Sequence, residues 1–435
     1  MTVKVIGAGL AGCEAAWQLA QRGIETELIE MKPLQKTEAH KSDGFAELVC
    51  SNSLRGASLT NAVGLLKEEM RLMGSLIMEC ADATKVEAGG ALAVDRELFS
   101  KAVTEKIKNH PKINVTEQIV TKITEGEVIV ASGPLTYGEL ADDIAKRLGD
   151  ESELHFYDAA APIVSFDSID MSKAYFGARY GKGEPSYINC PMDKEQYQAF
   201  VKELINAEEA PVKGFEDSKV FEGCMPVEVM ARRGEDTLRF GPMKPVGLPD
   251  PVTGKEHYAV LQLRKENEQG TMYNLVGFQT HLKFPEQKRV FSMIGGLENA
   301  VFLRYGVMHR NTFIKSPGRL DEFYNLIGEE RITFAGQMTG VEGYVESAAS
   351  GLYAGINKAL KILGKKPLKL GSDCAVGALA AYISGYKGGD FQPMNINFGL
   401  IDSLPFRVKS KQERYAITAE RALAAIKLAK IKGGF

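Results

Sequence analysis

Runs of apolar residues that end in glycine-rich turns predict an α/β fold at the start of the chain. An apolar strand, residues 3–6, enters the turn Gly7-Ala8-Gly9-Leu10-Ala11-Gly12, and an alanine-rich helix follows. A second apolar strand, residues 25–29, ends at the acidic Glu30. Strand, glycine turn, helix and strand in this order are typical of a doubly wound parallel sheet.

The spacing Gly-x-Gly-x-x-Gly, set between a strand and a helix, predicts a dinucleotide site. Gly7 permits the tight turn, Gly9 lets a pyrophosphate approach the backbone, and Gly12 lets the helix pack closely on the strand. The first turn of the helix offers free N–H groups and a partial positive charge to the diphosphate. Glu30 stands where it can accept hydrogen bonds from an adenosine ribose. The predicted cofactor residues of this part of the chain are Gly7, Ala8, Gly9, Leu10, Ala11, Gly12 and Glu30.

Further along, the apolar pattern predicts that this domain is interrupted and then resumed. Between about residues 160 and 320 the chain changes to short strands and Gly/Pro-rich loops, which indicates an inserted α+β domain. The predicted elements are helices over 61–78, 96–109, 193–206, 345–363 and 413–432, and strands over 114–117, 120–123, 127–131 and 332–336.

The segment from Phe334 to Gly351 favours FAD over NAD as the dinucleotide. A strand, a glycine-rich turn and a helix of small residues are what closes an FAD site built from both ends of a chain, and the helix N-terminus there stabilises negative charge on a reduced flavin. The alternative is a tightly packed helix chosen only for its small residues. Many such sites carry Gly-Asp where this chain has Gly-Gln. The predicted cofactor residues here are Gly336, Gln337, Gly340, Gly343 and Tyr344.

These patterns predict an α/β fold class with a Rossmann-like FAD-binding domain built from both chain ends and an inserted α+β domain. The predicted boundaries are 1–160 for the first part of the FAD-binding domain, 161–319 for the insertion, 320–370 for the second part and 371–435 for a helical, basic C-terminal segment.

Composition narrows the class of protein. The 435 residues are 44% hydrophobic and 25% charged, as in an ordinary globular protein. No apolar run reaches the ~18 residues of a membrane span, and no leader precedes the first strand, so we expect a cytoplasmic protein without membrane contact. The six cysteines stand singly, without metal-ligand spacing, so we expect neither a metal site nor a disulfide framework.

The charge is unevenly distributed along the chain. A net charge of −3 argues against a protein that coats nucleic acid. Residues 224–315 nevertheless carry 13 Lys/Arg against 9 Asp/Glu, and residues 404–435 carry 8 against 2, as local contact with phosphates requires. For the tail taken alone, a solvated helix face is an equal alternative.

Several long motifs make the chain resemble the TrmFO family, the bacterial folate- and FAD-dependent tRNA uracil-5-methyltransferases. The glycine turn at 336–346 is also similar to that of the tRNA-modifying MnmG flavoproteins, so it indicates the superfamily rather than the reaction. The motifs that carry the resemblance lie at 5–12, 45–54, 89–96, 156–163, 221–228, 241–248, 305–311 and 336–351.

The resemblance implies a reaction and its cofactors. NADH or NADPH reduces FAD, 5,10-methylenetetrahydrofolate supplies a carbon, and a uridine in the T-loop of tRNA becomes 5-methyluridine. Uracil C5 is a poor nucleophile until a thiolate adds to C6. The resemblance identifies Cys224 as this nucleophile and Cys50 as a second thiol close to the flavin. For Cys50 the alternative is a residue that only packs against the flavin ring.

Basic residues near Cys224 are candidates for positioning the substrate. We expect Arg232, Arg233, Arg239 and Lys244 to contact RNA phosphates, and the insertion 161–319 to form the RNA or folate side. His309 and Arg310 are candidates for the folate glutamate tail or for RNA. Tyr344 and Glu346 are candidates for flavin or pterin contacts. The alternatives are solvated charges and internal hydrogen bonds.

Three other functions stay open at this point. Close relatives in the family methylate ribosomal RNA, and the residues do not separate tRNA from rRNA. A flavin oxidoreductase acting on a small metabolite would use the dinucleotide site but neither the Cys224 turn nor the basic segments. An RNA-binding module with a vestigial flavin site would bind RNA tightly without FAD.

Overall fold

The computed structural model describes residues 1–37, 39–149, 154–159, 161–210, 225–306, 308–388 and 391–433, with the backbone alone at 154–159, 308–311 and 432–433. Its strands are β1 (Thr2–Ile6), β2 (Glu25–Glu30), β3 (Ser53–Gly56), β4 (Lys85–Val86), β5 (Ala91–Val94), β6 (Ile113–Glu117), β7 (Val128–Val130), β8 (Leu154–Ala159), β9 (Ile163–Ser165), β10 (Tyr175–Gly177), β11 (Tyr187–Met192), β12 (Ala259–Lys265), β13 (Met272–Leu275), β14 (Phe302–Arg304), β15 (Met308–Phe313) and β16 (Ile332–Phe334). Its helices are α1 (Leu10–Gln21), α2 (Ala62–Leu72), α3 (Leu76–Ala83), α4 (Arg96–Lys108), α5 (Gly138–Leu148), α6 (Lys194–Asn206), α7 (Val227–Arg232), α8 (Phe284–Phe291), α9 (Tyr344–Ile362), α10 (Ala375–Gly385) and α11 (Lys411–Gly433).

A parallel sheet joins the two ends of the chain. Its strand order is β16-β7-β1-β2-β6, and each neighbouring pair is parallel. The strands β7 and β16 are buried throughout, and β1 is buried at Val3, Val5 and Ile6, as parallel strands covered on both faces require. The late strand β16 therefore completes the sheet that β1 and β2 begin. The prediction of one domain built from both chain ends is confirmed.

The two helices that follow the glycine turns pack backbone against backbone. A Cβ atom on Gly351 of α9 would lie 2.2 Å from the Ala11 carbonyl oxygen of α1, and one on Gly355 would lie 2.8 Å from the Ala15 carbonyl oxygen. Because these contacts advance in the same direction along both helices, α1 and α9 run parallel. Their N-termini point toward the same end of the sheet.

The insertion is an antiparallel sheet with its own core. Its strand order is β10-β11-β12-β13-β9-β14, and helices α6, α7 and α8 accompany it. Apolar side chains of the sheet and these helices form a cluster separate from that of the parallel sheet. The strands that enter and leave the insertion, β8 and β15, pair with each other, with Leu154 opposite Phe313 and Ala159 opposite Met308. This antiparallel ribbon connects the two sheets.

Two local predictions differ from the structure, and one helix was not predicted. The predicted helix 61–78 is two helices, α2 and α3, because Gly74 takes a left-handed φ of +78° and the Ser75 side chain caps α3 by accepting the Met78 N–H. The predicted strand 120–123 is wrong, since these residues form a loop. Helix α5 was not predicted, although Leu140, Ala141 and Ile144 recur at helical spacing.

The C-terminal segment packs on the core of the parallel sheet. Residues from α10 and from α11, including Ala422 and Ile426, belong to the same buried cluster as β1 and α1. In the described ranges, no helix is both long enough and apolar enough to cross a membrane.

Candidate functional site

A cavity of about 330 Å³ lies at the carboxyl ends of the parallel strands. In an open α/β sheet this is where ligands bind. Both chain ends contribute to its wall, together with the loop that follows β7. The predicted cofactor residues that line it are Gly7, Ala8, Gly9, Leu10, Ala11, Glu30, Gly336, Gln337 and Tyr344.

The three glycines of the first turn have different surroundings. A Cβ atom on Gly12 would lie 1.8 Å from the Gly7 carbonyl oxygen, and one on Gly7, where φ is +100°, would lie 2.5 Å from the Ala131 carbonyl oxygen. Both positions therefore exclude a side chain because of backbone packing. Gly9 has an ordinary φ of −74°, and a Cβ atom there would meet nothing within 4 Å. The space above Gly9 is a cradle that fits a diphosphate on the uncapped N-terminus of α1.

Glu30 is held in place by the backbone around it. Its Oε2 accepts a hydrogen bond from the Ala8 N–H at 2.6 Å, and its Oε1 accepts one from the Lys32 N–H at 3.0 Å. The side chain is almost completely buried but still reaches the cavity wall. Each carboxylate oxygen retains a lone pair for a ribose hydroxyl. This arrangement fits the predicted role of Glu30 and also ties the first turn to the end of β2.

Residues of the late glycine turn, 336–346, either line the cavity or support the residues that line it. Gly336 and Gln337 line the cavity, and the Gln337 amide donates to Glu342 at 2.7 Å. Gly340 and Gly343 lie behind the wall, with left-handed φ angles of +90° and +106°. A Cβ atom on Gly340 would lie 2.5 Å from the Phe391 ring, so this glycine is required by packing. The turn leads into the N-terminus of α9, which has no side-chain cap.

Glu346 lies away from the cavity. It is fully buried, pairs with Arg55, and accepts a hydrogen bond from the Ile396 N–H at 2.9 Å. These contacts join the late turn to β3 and to the C-terminal segment. They support a structural task for Glu346, and its contact with flavin or pterin stays a prediction.

The loop around Cys50 is fixed beside the cavity by the hydroxyl of Tyr344. This oxygen accepts hydrogen bonds from the Cys50 N–H at 2.6 Å and the Ser51 N–H at 3.3 Å. Burial, together with the neighbouring Cys50, raises the pKa of Tyr344 well above its usual range, so the phenol stays protonated. Val49 and Tyr344 line the cavity, which puts the partly exposed Cys50 at its edge.

Two guanidinium groups that sequence reasoning missed hold the same loop. Arg304 donates to the Val49 carbonyl oxygen at 2.5 Å, and Arg96 donates to the Leu48 carbonyl oxygen at 3.0 Å. Burial and the nearby charge of Arg96 lower the pKa of Arg304. Arg96 also pairs with the buried Glu266 at 2.8 Å. These arginines come from opposite sides of the domain boundary, so no local pattern signals their meeting.

Replacing Tyr344 by phenylalanine should weaken FAD retention about tenfold. The change leaves two N–H groups of the Cys50 loop without their acceptor, at a cost of about 1–3 kcal/mol. Fluorescence titration of the apoprotein with FAD measures the effect. Tyr353→Phe is the matched control, because Tyr353 lies in the same helix and its hydroxyl bonds Leu368 and Leu370 away from the cavity. Equal FAD affinity for Tyr344→Phe and Tyr353→Phe would show that the Tyr344 hydroxyl does not support FAD binding.

Cys224 lies outside the described residues, which resume at Met225. The chain on either side of this segment is anchored on one stretch, 279–283. Ala210 N–H donates to the His281 carbonyl oxygen at 2.8 Å, and Val227 N–H donates to the Gln279 carbonyl oxygen at 2.7 Å. The role predicted for Cys224 stays a prediction.

A buried histidine lies between two carboxylates at this anchor. His281 Nε2 is 2.5 Å from Glu209 and Nδ1 is 2.7 Å from Glu228, and the imidazole is almost completely buried. Burial alone disfavours the charged ring, but the hydrogen bonds and charges of Glu228 and Glu209 raise the pKa of His281 above its ordinary value. Arg232, predicted to contact RNA, pairs here with Glu209.

The pairing of His281 with Glu209 and Glu228 should stabilise the protein more at low pH than at high pH. The pKa of His281 is raised in the folded state. The contribution of the charged imidazole to the free energy of unfolding is therefore fully present below the unfolded pKa of about 6.5, and it is lost as pH rises through the folded pKa. We therefore expect His281→Gln to destabilise the protein by about 3–5 kcal/mol at pH 6 and by clearly less at pH 9. Chemical denaturation at both pH values measures this. The control is His257→Gln at a partly exposed pair with Asp250; an equal pH effect for both variants would contradict the account.

The other predicted RNA or folate residues lie on the insertion and its ribbon. Arg239 stacks on Tyr258, with its guanidinium carbon 3.6 Å from the ring centre, and pairs with Asp236. Arg233 is exposed, whereas Lys244 is half-buried. His309 and Arg310 lie on β15, opposite Asp158 and Tyr157, with only their backbone described. Arg233, Arg239 and Lys244 do not line the cavity.

A parallel sheet closed by both chain ends and a glycine-lined cavity define a Rossmann-like dinucleotide-binding protein with an inserted α+β domain. The predicted fold class is confirmed. Among solved structures, Aquifex aeolicus GidA superposes with a TM-score of 0.72 at 18% identity, covering 100% of this chain and 74% of that one. A second crystal form of the same protein gives 0.69 at 19% identity, covering 99% of this chain and 78% of that one. At such low identity the likeness is one of fold.

Sequence comparison identifies the family. Residues 2–366 match the family described as glucose inhibited division protein A. Curated relatives named methylenetetrahydrofolate--tRNA-(uracil-5-)-methyltransferase TrmFO include those of Acetivibrio thermocellus, 61% identical, and Staphylococcus aureus, 59% identical, each covering 98% of both chains. The chain therefore belongs to the TrmFO family and, through residues 2–366, to the wider family named above, which confirms the resemblance drawn from its motifs.

Proposed function

We propose that this protein methylates C5 of a uridine in the T-loop of tRNA, using methylenetetrahydrofolate as carbon source, FAD as bound cofactor and NADH or NADPH as reductant. One observation carries the proposal: the glycine turns of both chain ends share one cavity, and the loop of Cys50 lies at its edge. Membership of the TrmFO family supplies the reaction class. The protein would act in the cytoplasm.

The residues of the cavity fit FAD. Gly9 and the N-terminus of α1 would hold the diphosphate, and Glu30 would accept the ribose hydroxyls. Gly336 and Gln337 would line the flavin end, where the positive N-terminus of α9 favours negative charge. Bound there, FAD supplies reducing equivalents for converting the folate-derived carbon into a methyl group. The single dinucleotide fingerprint suits a nicotinamide that binds only transiently.

Cys224 would activate the uracil ring. Its thiolate forms a bond to C6, and the electron pair of the C5–C6 double bond moves toward the C4 carbonyl, which makes C5 nucleophilic. C5 would then bond to the methylene carbon, the bond between that carbon and its carrier nitrogen would break with the electron pair leaving on nitrogen, and a hydride derived from NADH or NADPH would complete the methyl group. Loss of the C5 proton and departure of the thiolate restore the double bond. Cys50, beside Arg96 and Arg304, would be the second thiol near the flavin.

Uridine inside a folded tRNA loop must leave its stack before a thiol can reach C6. The insertion, with Arg233, Arg239 and Lys244, would position the loop by its phosphates. Arg232 is held by Glu209 and would act by fixing the chain next to Cys224 rather than by touching RNA.

Mass spectrometry of unmodified tRNA and rRNA tests the proposal. After incubation with the purified protein, methylenetetrahydrofolate and NADPH, we expect 5-methyluridine in tRNA, with none when folate or NADPH is omitted. Methylation confined to rRNA would overturn the substrate while keeping the chemistry. No methylation of either RNA, together with turnover of a small reducible substrate, would overturn both.

A further inference from the structure

A second cavity, of about 620 Å³, lies on the C-terminal segment. Its walls are the loop 398–409 and the first turns of α11 up to Thr418; we call it the C-terminal groove. Arg421 fixes the loop by donating to the Asp402 carbonyl oxygen at 2.5 Å and to the Ser403 carbonyl oxygen at 3.1 Å. The Asp402 N–H in turn donates to the Ser372 carbonyl oxygen at 2.8 Å. The groove is therefore a built feature of the fold.

Positive charge exceeds negative charge at the groove. Arg407, Lys409, Lys411 and Arg414 are exposed, and none of them pairs with a carboxylate anywhere in the described ranges. Surface cations elsewhere commonly do pair, as Lys369 does with Glu322 at 2.7 Å. The carboxylates here are Asp402, in the groove wall, and Glu413, in the first turn of α11; the four cations outnumber them, and an excess of positive charge produces a field that attracts anions.

Aromatic rings accompany these cations. Phe398 and Tyr415 stack with their ring centres 3.9 Å apart and a 13° interplanar angle. The Arg414 guanidinium and the Lys411 ammonium lie 5.4 and 5.6 Å from the Tyr415 ring centre. At the rim, Phe406 is 57% exposed. Cations interleaved with accessible aromatic faces are the combination that binds RNA, through phosphates and through stacking on bases.

The segment that leads into the groove is hydrogen-bonded to the late glycine turn. Met394 exchanges backbone hydrogen bonds with Gly340 and Glu342, both at 3.0 Å, and the Ile396 N–H donates to Glu346 at 2.9 Å. Phe398 follows Ile396 by two residues, and two extended residues span at most ~7 Å. The groove is thus next to the turn that closes the cofactor cavity.

We propose that the C-terminal groove binds the sugar-phosphate backbone of the RNA substrate next to the late glycine turn. This inference rests on the proposed function, because it assigns the surface that holds the tRNA. Arg407, Lys409, Lys411 and Arg414 contact phosphates, and Phe406 offers its face to a base at the rim. The contacts read backbone rather than sequence, so they contribute affinity and leave the choice of uridine to the site.

The double variant Arg407→Gln/Lys409→Gln tests this with a matched control. The control, Lys365→Gln/Lys366→Gln, removes two exposed cations beyond the far end of α9, about 28 Å of helix from the late turn. For the groove variant we expect the tRNA Kd and KM to rise about tenfold, and the slope of log Kd against log salt to fall by about 2. The kcat of the groove variant and its rate of flavin reduction by NADPH should stay unchanged. The control variant should have the same tRNA Kd, KM and salt slope as the parent protein.

Each alternative outcome is distinguishable. Groove and control variants with equal tRNA affinity and equal salt slopes would overturn the proposal while the methylation reaction stands. If the groove instead holds a second copy of this chain, the groove variant will change the mass in light scattering without changing tRNA affinity, which also overturns it. Failure of the parent protein to methylate tRNA would overturn the proposed function, whereas the binding measurement would still report on the groove.

Discussion

Replacing Cys224 by alanine is expected to lower the rate of 5-methyluridine formation by ~10³-fold or more, as loss of a covalent nucleophile does. Without the thiolate, C5 of uracil is not activated, although the cofactor cavity is intact. Single-turnover assays with reduced enzyme and unmodified tRNA measure the chemical step. Flavin reduction by NADPH should proceed at the parent rate, because it does not involve uracil.

Cys190→Ala is the matched control for this variant. Cys190 lies in β11 of the same insertion, is fully buried, and burial raises its thiol pKa to about 12, so it carries no thiolate at neutral pH. The control should methylate tRNA within about threefold of the parent rate, as expected for a conservative change away from the chemistry. A Cys224→Ala variant as active as this control would contradict the role of Cys224.

Replacing Gly9 by valine is expected to yield a folded protein that purifies without FAD. The backbone at Gly9 has an ordinary φ of −74°, and the space around its Cβ direction is open, so the apoprotein tolerates the side chain. That open space is the cradle proposed for the diphosphate, so the isopropyl group would exclude it. Absorbance near the flavin band reports FAD content, and circular dichroism reports the fold.

Substitutions at two other glycines serve as comparisons for Gly9→Val. Gly12→Ala should damage the fold itself, because its Cβ atom would lie 1.8 Å from the Gly7 carbonyl oxygen; overpacking of this kind costs about 1–3 kcal/mol. Gly385→Val places the same side chain in open space at the end of α10 and should retain FAD. Stoichiometric FAD in purified Gly9→Val would show that the diphosphate does not lie at Gly9.

The first turn of the site could be predicted from the sequence because its causes are local. The spacing of Gly7, Gly9 and Gly12 and the acid at Glu30 follow from one strand, one turn and one helix. The late turn at Gly336 could be predicted for the same reason. The break between α2 and α3 has a local signal, Gly74 followed by a capping Ser75, which the apolar periodicity concealed.

The supports of the site could not be predicted, because they join residues distant in sequence. Arg96 lies in α4 and Arg304 in β14 of the insertion, so only the tertiary fold brings them together at the Cys50 loop. His281 contacts Glu209 and Glu228 only in the folded protein, because the three residues lie in separate segments of the chain. The basic tail could be read from composition, but the groove that organises Arg407 and Lys409 depends on how the loop packs against α11.

We expect this chain to transfer a folate carbon to a tRNA uridine, and the origin of the methyl carbon shows whether it does. Purified protein should be incubated with unmodified tRNA, NADPH and methylenetetrahydrofolate labelled at the methylene carbon. Mass spectrometry of the digested tRNA should then show the label in 5-methyluridine, with Cys224→Ala giving none. Unlabelled 5-methyluridine, or 5-methyluridine formed only when S-adenosylmethionine is supplied, would contradict the claim.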